Sequence, residues 1–223
     1  MKVALFGASG MIGQGVLREC LLAPDVEAVL VVGRSGIGVH HTKLRQVMRS
    51  DLSNYEGLEP ELSGLDGCFF CLGVSSSGMS EAEYERITYG ITLAAAGVLS
   101  RLNPDMTFVY VSGAGTDSSE KGRIMWARVK GRTENALLRL FTAAYMFRPG
   151  FIEPLHGATS KTRLYRTFYK LSRPLLPLLR RAFPDQIVTT EQMGRAMLQV
   201  AAKGYSKRVL ESRDIRAAAA QRS

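Results

Sequence analysis

The chain has 223 residues, of which 46% are hydrophobic and 22% are charged, and this size suits one domain, 1–223, better than two. Its 29 Lys and Arg against 20 Asp and Glu give a net charge of +9, which favours an anionic partner such as nucleic acid, a membrane surface or a phosphorylated small molecule. Three cysteines are too few for a disulfide framework, and neither a secretory signal nor a membrane-spanning apolar stretch is recognised. We therefore expect a cytoplasmic protein.

Strand and helix patterns alternate through the first 150 residues. A β-favouring run at 2–6 precedes a glycine turn and an apolar helical pattern. The remaining predicted strands are 29–33, 45–48, 67–72, 106–112 and 144–148, and the predicted helices are 81–102 and 123–141. This order is typical of an α/β protein with a doubly wound parallel sheet, the Rossmann type. We expect 1–150 to form a dinucleotide-binding core and 151–223, with a helix at 190–202, to form a small helical cap.

The glycine turn directly follows the first predicted strand. Gly7, Gly10 and Gly13 have the spacing G-x-x-G-x-x-G, which allows a tight turn, a close approach of backbone to pyrophosphate, and a phosphate at the helix N-terminus. The strand before it and the helix after it are the context that favours dinucleotide binding over an ordinary strand-to-helix turn. The residues predicted to contact the cofactor here are the three glycines with Ser9, Met11 and Ile12.

The end of the second strand bears on the choice of cofactor. NAD sites commonly carry an acid there for the ribose 2′-hydroxyl, whereas an Arg accommodates the 2′-phosphate of NADP. This chain has Arg34 and Ser35 and no acid, so NADP is expected ahead of NAD, unless Arg34 is only a solvated loop residue. Asp51 and Leu52 follow the third strand, where Asp51 would accept a hydrogen bond from the adenine amino group or cap a helix.

Further short motifs follow the later strands in a fixed order: Cys71-Leu72-Gly73, then VSGAG at 111–115, Val129-Lys130-Gly131 and Arg148-Pro149-Gly150. With the glycine turn, they make the chain from residue 1 to about 202 resemble the short-chain dehydrogenase/reductase superfamily. The resemblance is to its atypical branch, which includes NAD(P)-binding epimerase-like and Tat-interacting-protein-like proteins. It implies that the segments 71–73 and 148–150 contact the cofactor.

The same resemblance assigns the residues at the reacting end. In the superfamily a Ser after the fifth strand orients the substrate carbonyl, a Tyr is the acid/base, and a Lys four residues later holds the nicotinamide ribose. Ser112 and Lys130 match, but Trp126 stands at the Tyr position. An indole N–H donates a hydrogen bond and cannot relay a proton near neutral pH. Either another residue supplies the proton, or the protein binds NADP(H) without turnover, or the helix is misaligned.

Three tyrosines near this end, Tyr84, Tyr89 and Tyr110, are interpreted as packing residues. Cys68 and Cys71 form a C-x-x-C on a predicted strand and are interpreted as buried cysteines. The histidines have no companion ligands at metal spacing, so no metal site is expected.

The segment 155–184 contains seven Lys or Arg and no acid, with aromatic residues between them. It is interpreted as an amphipathic surface with solvated cations, as a site for an anionic or acyl-bearing substrate, or as a docking face for an acidic protein or a membrane surface. No nucleic-acid motif accompanies the charge. A homodimer formed through the helices 81–102 and 123–141 is left open.

Two functions follow from these patterns. The first is an NADP(H)-dependent oxidoreductase or epimerase-like enzyme that acts on a small carbonyl or hydroxyl substrate. The alternative is a non-catalytic protein that senses NADP(H) or binds a partner.

Overall fold

The computed structural model describes residues 1–159 and 184–222. Its strands are β1 (Lys2–Phe6), β2 (Ala28–Gly33), β3 (Leu44–Met48), β4 (Gly67–Phe70), β5 (Thr107–Val111), β6 (Ala144–Arg148), β7 (Phe151–Glu153), β8 (Ile187–Thr189) and β9 (Val209–Glu211). Its helices are α1 (Met11–Leu22), α2 (Glu59–Leu62), α3 (Glu81–Glu85), α4 (Ile91–Leu102), α5 (Met125–Leu140), α6 (Thr190–Lys203) and α7 (Ser212–Ala220). A π-helical segment, Arg86–Gly90, joins α3 to α4 without a break.

Seven strands form one sheet in the order β3-β2-β1-β4-β5-β6-β9, and every neighbouring pair is parallel. The chain moves outward from β1 to β3, returns to β4 on the other side of β1, and moves outward again. The order therefore reverses between β1 and β4, which places a crevice at the carboxyl ends of these two strands. The doubly wound parallel sheet predicted from the sequence is confirmed.

The sheet separates two apolar layers because alternate residues of each strand face opposite sides. On one side Leu5 and Val31 pack against α1, α6 and α7, and on the other Phe6 and Phe70 pack against α2, α4 and α5. The central strands β1, β4 and β5 are apolar on both faces, as expected for a parallel sheet covered by helices. The central strands that end at the crevice are therefore covered by helices on both faces.

The C-terminal part of the chain contributes to these layers. Strand β9 pairs with β6 at the sheet edge, and α6 packs against α1 in the buried layer. The sequence analysis did not predict β9, whose three residues are too few for a recognisable period. Division of the chain into a core, 1–150, and a cap, 151–223, stays a prediction, but the residues of β9 and α6 lie in the core layers.

The basic segment of the sequence analysis, 155–184, lies mainly in 160–183, outside the described residues. Its roles as an amphipathic surface, a substrate site or a docking face stay predictions. The part of it that precedes residue 160 is tied to the rest of the molecule, because Leu155 N–H donates to Thr190 Oγ1 at 3.0 Å and the ring of His156 contacts Glu191 at 2.7 Å.

Candidate functional site

The glycine turn between β1 and α1 packs backbone directly against backbone. Gly7 has a φ of +81°, and a Cβ there would lie 2.7 Å from the carbonyl carbon of Cys71. A Cβ on Gly13 would lie 2.1 Å from the carbonyl oxygen of Gly7. Side chains at either position would push α1 away from the strand ends. Both glycines are thus required by the geometry of the turn.

The N-terminus of α1 is open. Its cap residue is Gly10, which has no side chain that could accept a hydrogen bond from the first turn. The first turn also carries no acid. A Cβ on Gly10 would have one near neighbour, the Gly7 carbonyl oxygen at 3.3 Å. Met11 and Ile12 begin the helix, and the first N–H groups of a helix have no intrahelical partner. This end of α1 has the geometry and dipole that suit a phosphate.

A contact that the sequence analysis missed connects the turn to a distant part of the chain. The side-chain amide of Gln14 donates to the backbone carbonyl oxygens of Ser9, at 3.2 Å, and Thr159, at 3.1 Å. Its oxygen accepts from the Thr159 N–H at 3.2 Å. Because the two residues are 145 positions apart, no local pattern signals this pairing. It holds residue 159 beside the glycine turn.

A cleft runs from the glycine turn to the ends of β2 and β4. It is lined by Ala8 and Ser9 from the turn, and by the other residues Gly7, Val31, Val32, Gly33, Arg34, Ser35, Ile37, Leu52 and Leu72. Six of the predicted cofactor contacts outside the first helical turn therefore meet at one place: Gly7, Ser9, Arg34, Ser35, Leu52 and Leu72. The cleft has glycine backbone at one end, apolar side chains at its floor and a cation at its rim.

Arg34 and Asp51 differ in how the structure engages them. Arg34 is exposed at the rim and has no hydrogen bond or ion pair with residues 1–159 or 184–222. Asp51 does not line the cleft, and its carboxylate accepts from the backbone N–H and the hydroxyl of Ser53 at 2.8 and 2.7 Å. These hydrogen bonds hold the pKa of Asp51 below its usual value. No helix begins at Ser53, so Asp51 closes a turn, and its contact with adenine stays a prediction.

The predicted reacting end lies at the carboxyl end of β5. Ser112 is 5% exposed, and its hydroxyl donates to the Glu134 carboxylate. The ammonium group of Lys130 donates to the backbone carbonyl oxygen of Ser112. The ring of Trp126, one helical turn before Lys130, faces the loop after β5, where a Cβ on Gly115 would be 3.6 Å from ring atom Cη2. The structure therefore brings Ser112, Trp126 and Lys130 together.

Glu134 and Arg148 form a buried ion pair behind Ser112. The guanidinium Nε of Arg148 is 3.0 and 3.2 Å from the two oxygens of Glu134, and Nη2 also contacts the carboxylate. The Glu134 side chain is 1% exposed and that of Arg148 12%. Arg148 also donates to Ser118 Oγ at 2.5 Å. The sequence analysis did not select Glu134, because nothing in the local pattern of α5 distinguishes it from the other polar residues of the helix.

The other two residues of the motif at the end of β6 also hold the structure together. The carbonyl oxygen of Pro149 accepts from the Ala114 N–H at 2.9 Å, and the Gly150 N–H donates to Ser212 Oγ at 2.8 Å. A Cβ on Gly150 would lie 2.9 Å from the carbonyl oxygen of Gln186. Contact of Arg148, Pro149 and Gly150 with a cofactor stays a prediction.

The ammonium group of Lys130 has a lowered pKa at this end. Burial lowers the pKa of its ammonium group to about 8, against the opposing attraction of the Glu134 carboxylate. Lys130 forms no ion pair within the part of the chain that the structure describes, because the oxygens of Glu134 are engaged by Arg148 and Ser112. The site therefore holds an amine that exchanges its proton much nearer neutral pH than an ordinary lysine.

The tyrosines near this end are placed in different surroundings. Tyr84 and Tyr110 are 2% and 1% exposed, and burial raises the pKa of both phenols. The Tyr110 ring lies 6.1 Å from that of Phe70 in the apolar layer. The interpretation of these two as packing residues is confirmed. Tyr89 lies in the π-helical segment and is partly exposed.

The cysteines lie on opposite faces of the sheet. Cys68 is buried in the layer with α4 and α5, and Cys71 is partly buried against the layer with α1. All three cysteines are free thiols, and burial raises the pKa of each. Gly7 packs on the backbone of Cys71 and Leu72, whereas Gly73 has open space around it. Of the predicted segment 71–73, the structure thus brings Leu72 to the cleft.

Metal sites and membrane-spanning helices are the other features considered for residues 1–159 and 184–222. No group of three or more acidic, His or Cys side chains there is arranged to hold a metal ion. None of the helices in the same ranges has the length and apolar character needed to cross a membrane.

Comparison by sequence finds distant relatives, and no family model matches the chain. Protein fmp52-1, mitochondrial, of Aspergillus terreus and the protein of the same name of Aspergillus oryzae are both 27% identical over 158 residues. Each match covers 68% of this chain and 66% of the relative, so it spans slightly less than two thirds of the relatives' length. Both relatives are named mitochondrial, which contradicts the expected cytoplasmic location, and that prediction is wrong.

Comparison with solved structures concerns the fold. The UDP-N-acetylglucosamine 4-epimerase of Methanobrevibacter ruminantium has a TM-score of 0.70 at 14% identity and covers 94% of this chain and 75% of its own. A thiolation-reductase di-domain of an archaeal non-ribosomal peptide synthetase has a TM-score of 0.69 at 13% identity over 95% and 70%. The Bordetella bronchiseptica enzyme WbmF, in complex with NAD+, has 0.67 at 15% over 99% and 77%. The structure fits the fold implied by the resemblance to atypical short-chain dehydrogenases/reductases, and the expected fold is confirmed.

Proposed function

We propose that the protein binds a nicotinamide dinucleotide across the glycine turn and the adjoining cleft. The observation that carries this proposal is the turn itself, where Gly7 and Gly13 admit no Cβ while Gly10 leaves the N-terminus of α1 open to a phosphate. The cleft continues from that point to the ends of β2 and β4, where the adenosine half would lie. WbmF, which shares the fold, is described in complex with NAD+.

We propose NADP(H) as the preferred form, with NAD second. Arg34 is at the rim of the cleft, it has no partner among the residues that the structure describes, and no acid lies beside it at the end of β2. A planar guanidinium suits a phosphate group, whereas an acid would suit the 2′-hydroxyl. The 2′-phosphate would thus supply the partner that Arg34 lacks.

We propose that the bound dinucleotide serves an oxidoreductase or epimerase-like reaction on a small carbonyl or hydroxyl substrate. The cofactor would accept or donate a hydride at the reacting end. Lys130 and Trp126 would face that end from α5, and the carbonyl oxygen of Ser112 would position the Lys130 ammonium group. The hydroxyl of Ser112 already donates its proton to Glu134, so its role in orienting a substrate requires that this hydrogen bond be exchanged.

The alternative is a non-catalytic protein that senses NADP(H) or binds a partner. The observation that favours it is the combination of Trp126 at the Tyr position and a Ser112 hydroxyl committed to Glu134. Both groups that the superfamily uses to act on a carbonyl are then unavailable in their usual form. A docking role of the segment 155–184 toward an acidic protein or a membrane surface belongs to this alternative.

Turnover distinguishes the two functions. We would measure NADPH oxidation by the wild type and by Trp126→Tyr with panels of aldehydes, ketones and quinones. Carbonyl-dependent oxidation of NADPH by the wild type supports the enzyme, and we expect Trp126→Tyr to retain it. Calorimetric binding of NADPH without turnover by either protein across these panels would favour the sensing or partner-binding protein.

A further inference from the structure

We propose that Lys130 is the proton donor of this site and takes the place of the missing tyrosine. The inference deepens the proposed function and rests on it. It concerns the one question that the superfamily resemblance leaves without an answer, namely which group gives a proton to the substrate oxygen when an indole replaces the phenol. The placement of the groups at the carboxyl end of β5 supports this assignment.

Four other candidate donors are excluded by their chemistry, burial or contacts. The Trp126 indole N–H does not ionise near neutral pH. Tyr84 and Tyr110 are only 2% and 1% exposed, so a substrate has no access to them. The Ser112 hydroxyl donates its only proton to Glu134. Of the groups that contact Ser112, these observations leave the ammonium group of Lys130 as the acid. Tyr89 is partly exposed on the π-helical segment, and Tyr89→Phe, which we expect to keep kcat, tests that phenol separately.

The geometry of Lys130 meets the requirements of a donor. An ammonium group has three N–H donors, and the structure engages Nζ with one acceptor, the carbonyl oxygen of Ser112. That oxygen follows β5 directly, on the edge of the sheet where the cofactor cleft opens. The residue is partly exposed. Among residues 1–159 and 184–222 the other two N–H donors have no acceptor, and we infer that they can reach a substrate oxygen.

Burial favours release of the proton from Lys130, and the Glu134 carboxylate opposes it. Glu134 faces it from the same helix, Arg148 faces Glu134 from β6, and β5 contributes the Ser112 carbonyl group. Arg148 and Ser112 engage both oxygens of Glu134, so Lys130 has no carboxylate of its own within residues 1–159 and 184–222. Burial lowers its pKa to about 8. At pH 7 about nine tenths of the amine is then protonated and able to donate.

The proposed step couples a hydride transfer to a proton transfer. The carbonyl carbon of the substrate accepts a hydride from a reduced nicotinamide dinucleotide, and the π electron pair of the carbonyl moves to oxygen. That oxygen forms a bond to a proton of the Lys130 ammonium group, whose N–H bond breaks. The products are an alcohol, an oxidised dinucleotide and a neutral amine, which takes a proton from water. In the reverse direction the neutral amine is the base.

The first arm of the test titrates Lys130 without a substrate. Competitive acylation of the wild-type protein over a pH series, read by mass spectrometry of the peptide that contains residue 130, gives the midpoint for this amine. We expect the midpoint for Lys130 to lie near pH 8, whereas ordinary lysines titrate at about pH 10.4. The exposed Lys121 serves as an internal reference. A midpoint for Lys130 above pH 10 would overturn the proposal.

The second arm measures turnover with a carbonyl substrate found in the screen. In the direction of reduction, kcat of the wild type is expected to fall as the pH rises through about 8, because the protonated form is lost. Lys130→Arg keeps the positive charge but cannot give up its proton, so we expect kcat at saturating NADPH to fall about 100-fold or more, and calorimetry checks that the variant still binds NADPH. Trp126→Tyr in the same background is expected to restore part of kcat.

The outcomes separate this inference from the proposed function. If the wild type turns over and Lys130→Arg keeps kcat and the pH profile, Lys130 only binds the cofactor, and the inference alone fails. If the wild type binds NADPH but reduces no carbonyl compound, the proposed enzyme fails, and the inference fails with it.

Discussion

At the scale of single residues, one buried ion pair determines what the reacting end can do. The Glu134 carboxylate accepts from Arg148 and from the hydroxyl of Ser112. A serine that gives its proton to a carboxylate cannot at the same time donate to a substrate carbonyl. The residue that the superfamily pattern marks as substrate-binding is therefore held as part of a structural contact. Its neighbour Lys130 is left with the free donors.

This ion pair predicts a large loss of stability for Glu134→Gln. The variant leaves a nearly buried Arg148 guanidinium with only a longer ion pair, to Glu211 at 3.8 Å, and is expected to lower the free energy of unfolding by about 3 kcal/mol. Removal of the carboxylate also removes the attraction that opposes the effect of burial, so the pKa of Lys130 should fall below its present value of about 8. Urea denaturation and competitive acylation measure the two effects.

The matched control is Glu81→Gln. Glu81 pairs with Arg128 at 2.6 Å on the surface, with the Glu81 side chain 46% exposed. A surface pair of this kind contributes about 1 kcal/mol or less. Equal losses of stability in Glu81→Gln and Glu134→Gln would show that the inner pair does not carry the weight assigned to it.

Arg34 predicts the cofactor preference. Arg34→Ala removes a charge-assisted contact to the 2′-phosphate, which corresponds to about a 10- to 100-fold loss of affinity for NADPH. Affinity for NADH should change little, because NADH has no 2′-phosphate. Arg45→Ala is the control, since Arg45 is an exposed arginine on β3 whose only ion pair in the described chain, with Glu61, is 3.5 Å long. Calorimetric titrations in which Arg34→Ala weakens both cofactors equally would remove the NADP assignment.

At the scale of elements, α5 organises the reacting end. Trp126, Lys130 and Glu134 are spaced four residues apart and therefore lie on one face of the helix. The helical pattern at 123–141 predicted this helix, so the side by side placement of Trp126 and Lys130 could be predicted from the sequence. The partner of Glu134 could not, because Arg148 lies on another element and pairs with it only after β6 is set beside β5.

Other elements show the same limit. The pattern at 81–102 predicted one continuous helix with the correct ends, but its π-helical segment was missed because one added residue leaves the apolar periodicity almost unchanged. The tight geometry of the glycine turn could be predicted, since it depends on three local residues. The short strand β9 depends on pairing with β6 and has no local signal of its own.

Substitution by alanine is predicted to have opposite effects at two helical glycines. One is Gly13, which packs on the turn between β1 and α1, and the other is Gly97 in α4. A Cβ in Gly13→Ala would lie 2.1 Å from the Gly7 carbonyl oxygen, so we expect a clear loss of stability and of NADPH binding. Gly97 lies exposed in α4 with nothing within 4 Å of such a Cβ. Gly97→Ala should therefore raise the free energy of unfolding by up to about 1 kcal/mol. Thermal or urea unfolding checks both, and tolerance of Gly13→Ala would contradict the close packing of α1.

At the scale of the whole molecule, the positive charge and the cofactor site lie in different parts of the chain. Seven cations without an acid fall in 155–184, which leaves a net charge of +2 for the rest of the +9. The proposed cofactor site would therefore rely on an open helix N-terminus and Arg34 rather than on a strongly basic surface. Gln14 joins the two parts, because it pairs with Ser9 in the glycine turn and with Thr159 at the start of the basic segment.

The central claim is that a nicotinamide dinucleotide binds at the N-terminus of α1. The most direct measurement is a calorimetric titration of NADPH into the wild type and Gly10→Glu, which adds a negative charge where the pyrophosphate would lie. Among the described residues outside its chain neighbours, a Cβ there comes within 4 Å of the Gly7 carbonyl oxygen alone, at 3.3 Å. We predict 1:1 binding by the wild type and at least about a 100-fold loss in the variant, with unchanged circular dichroism. No binding by the wild type, or equal affinity in both proteins, would contradict the account.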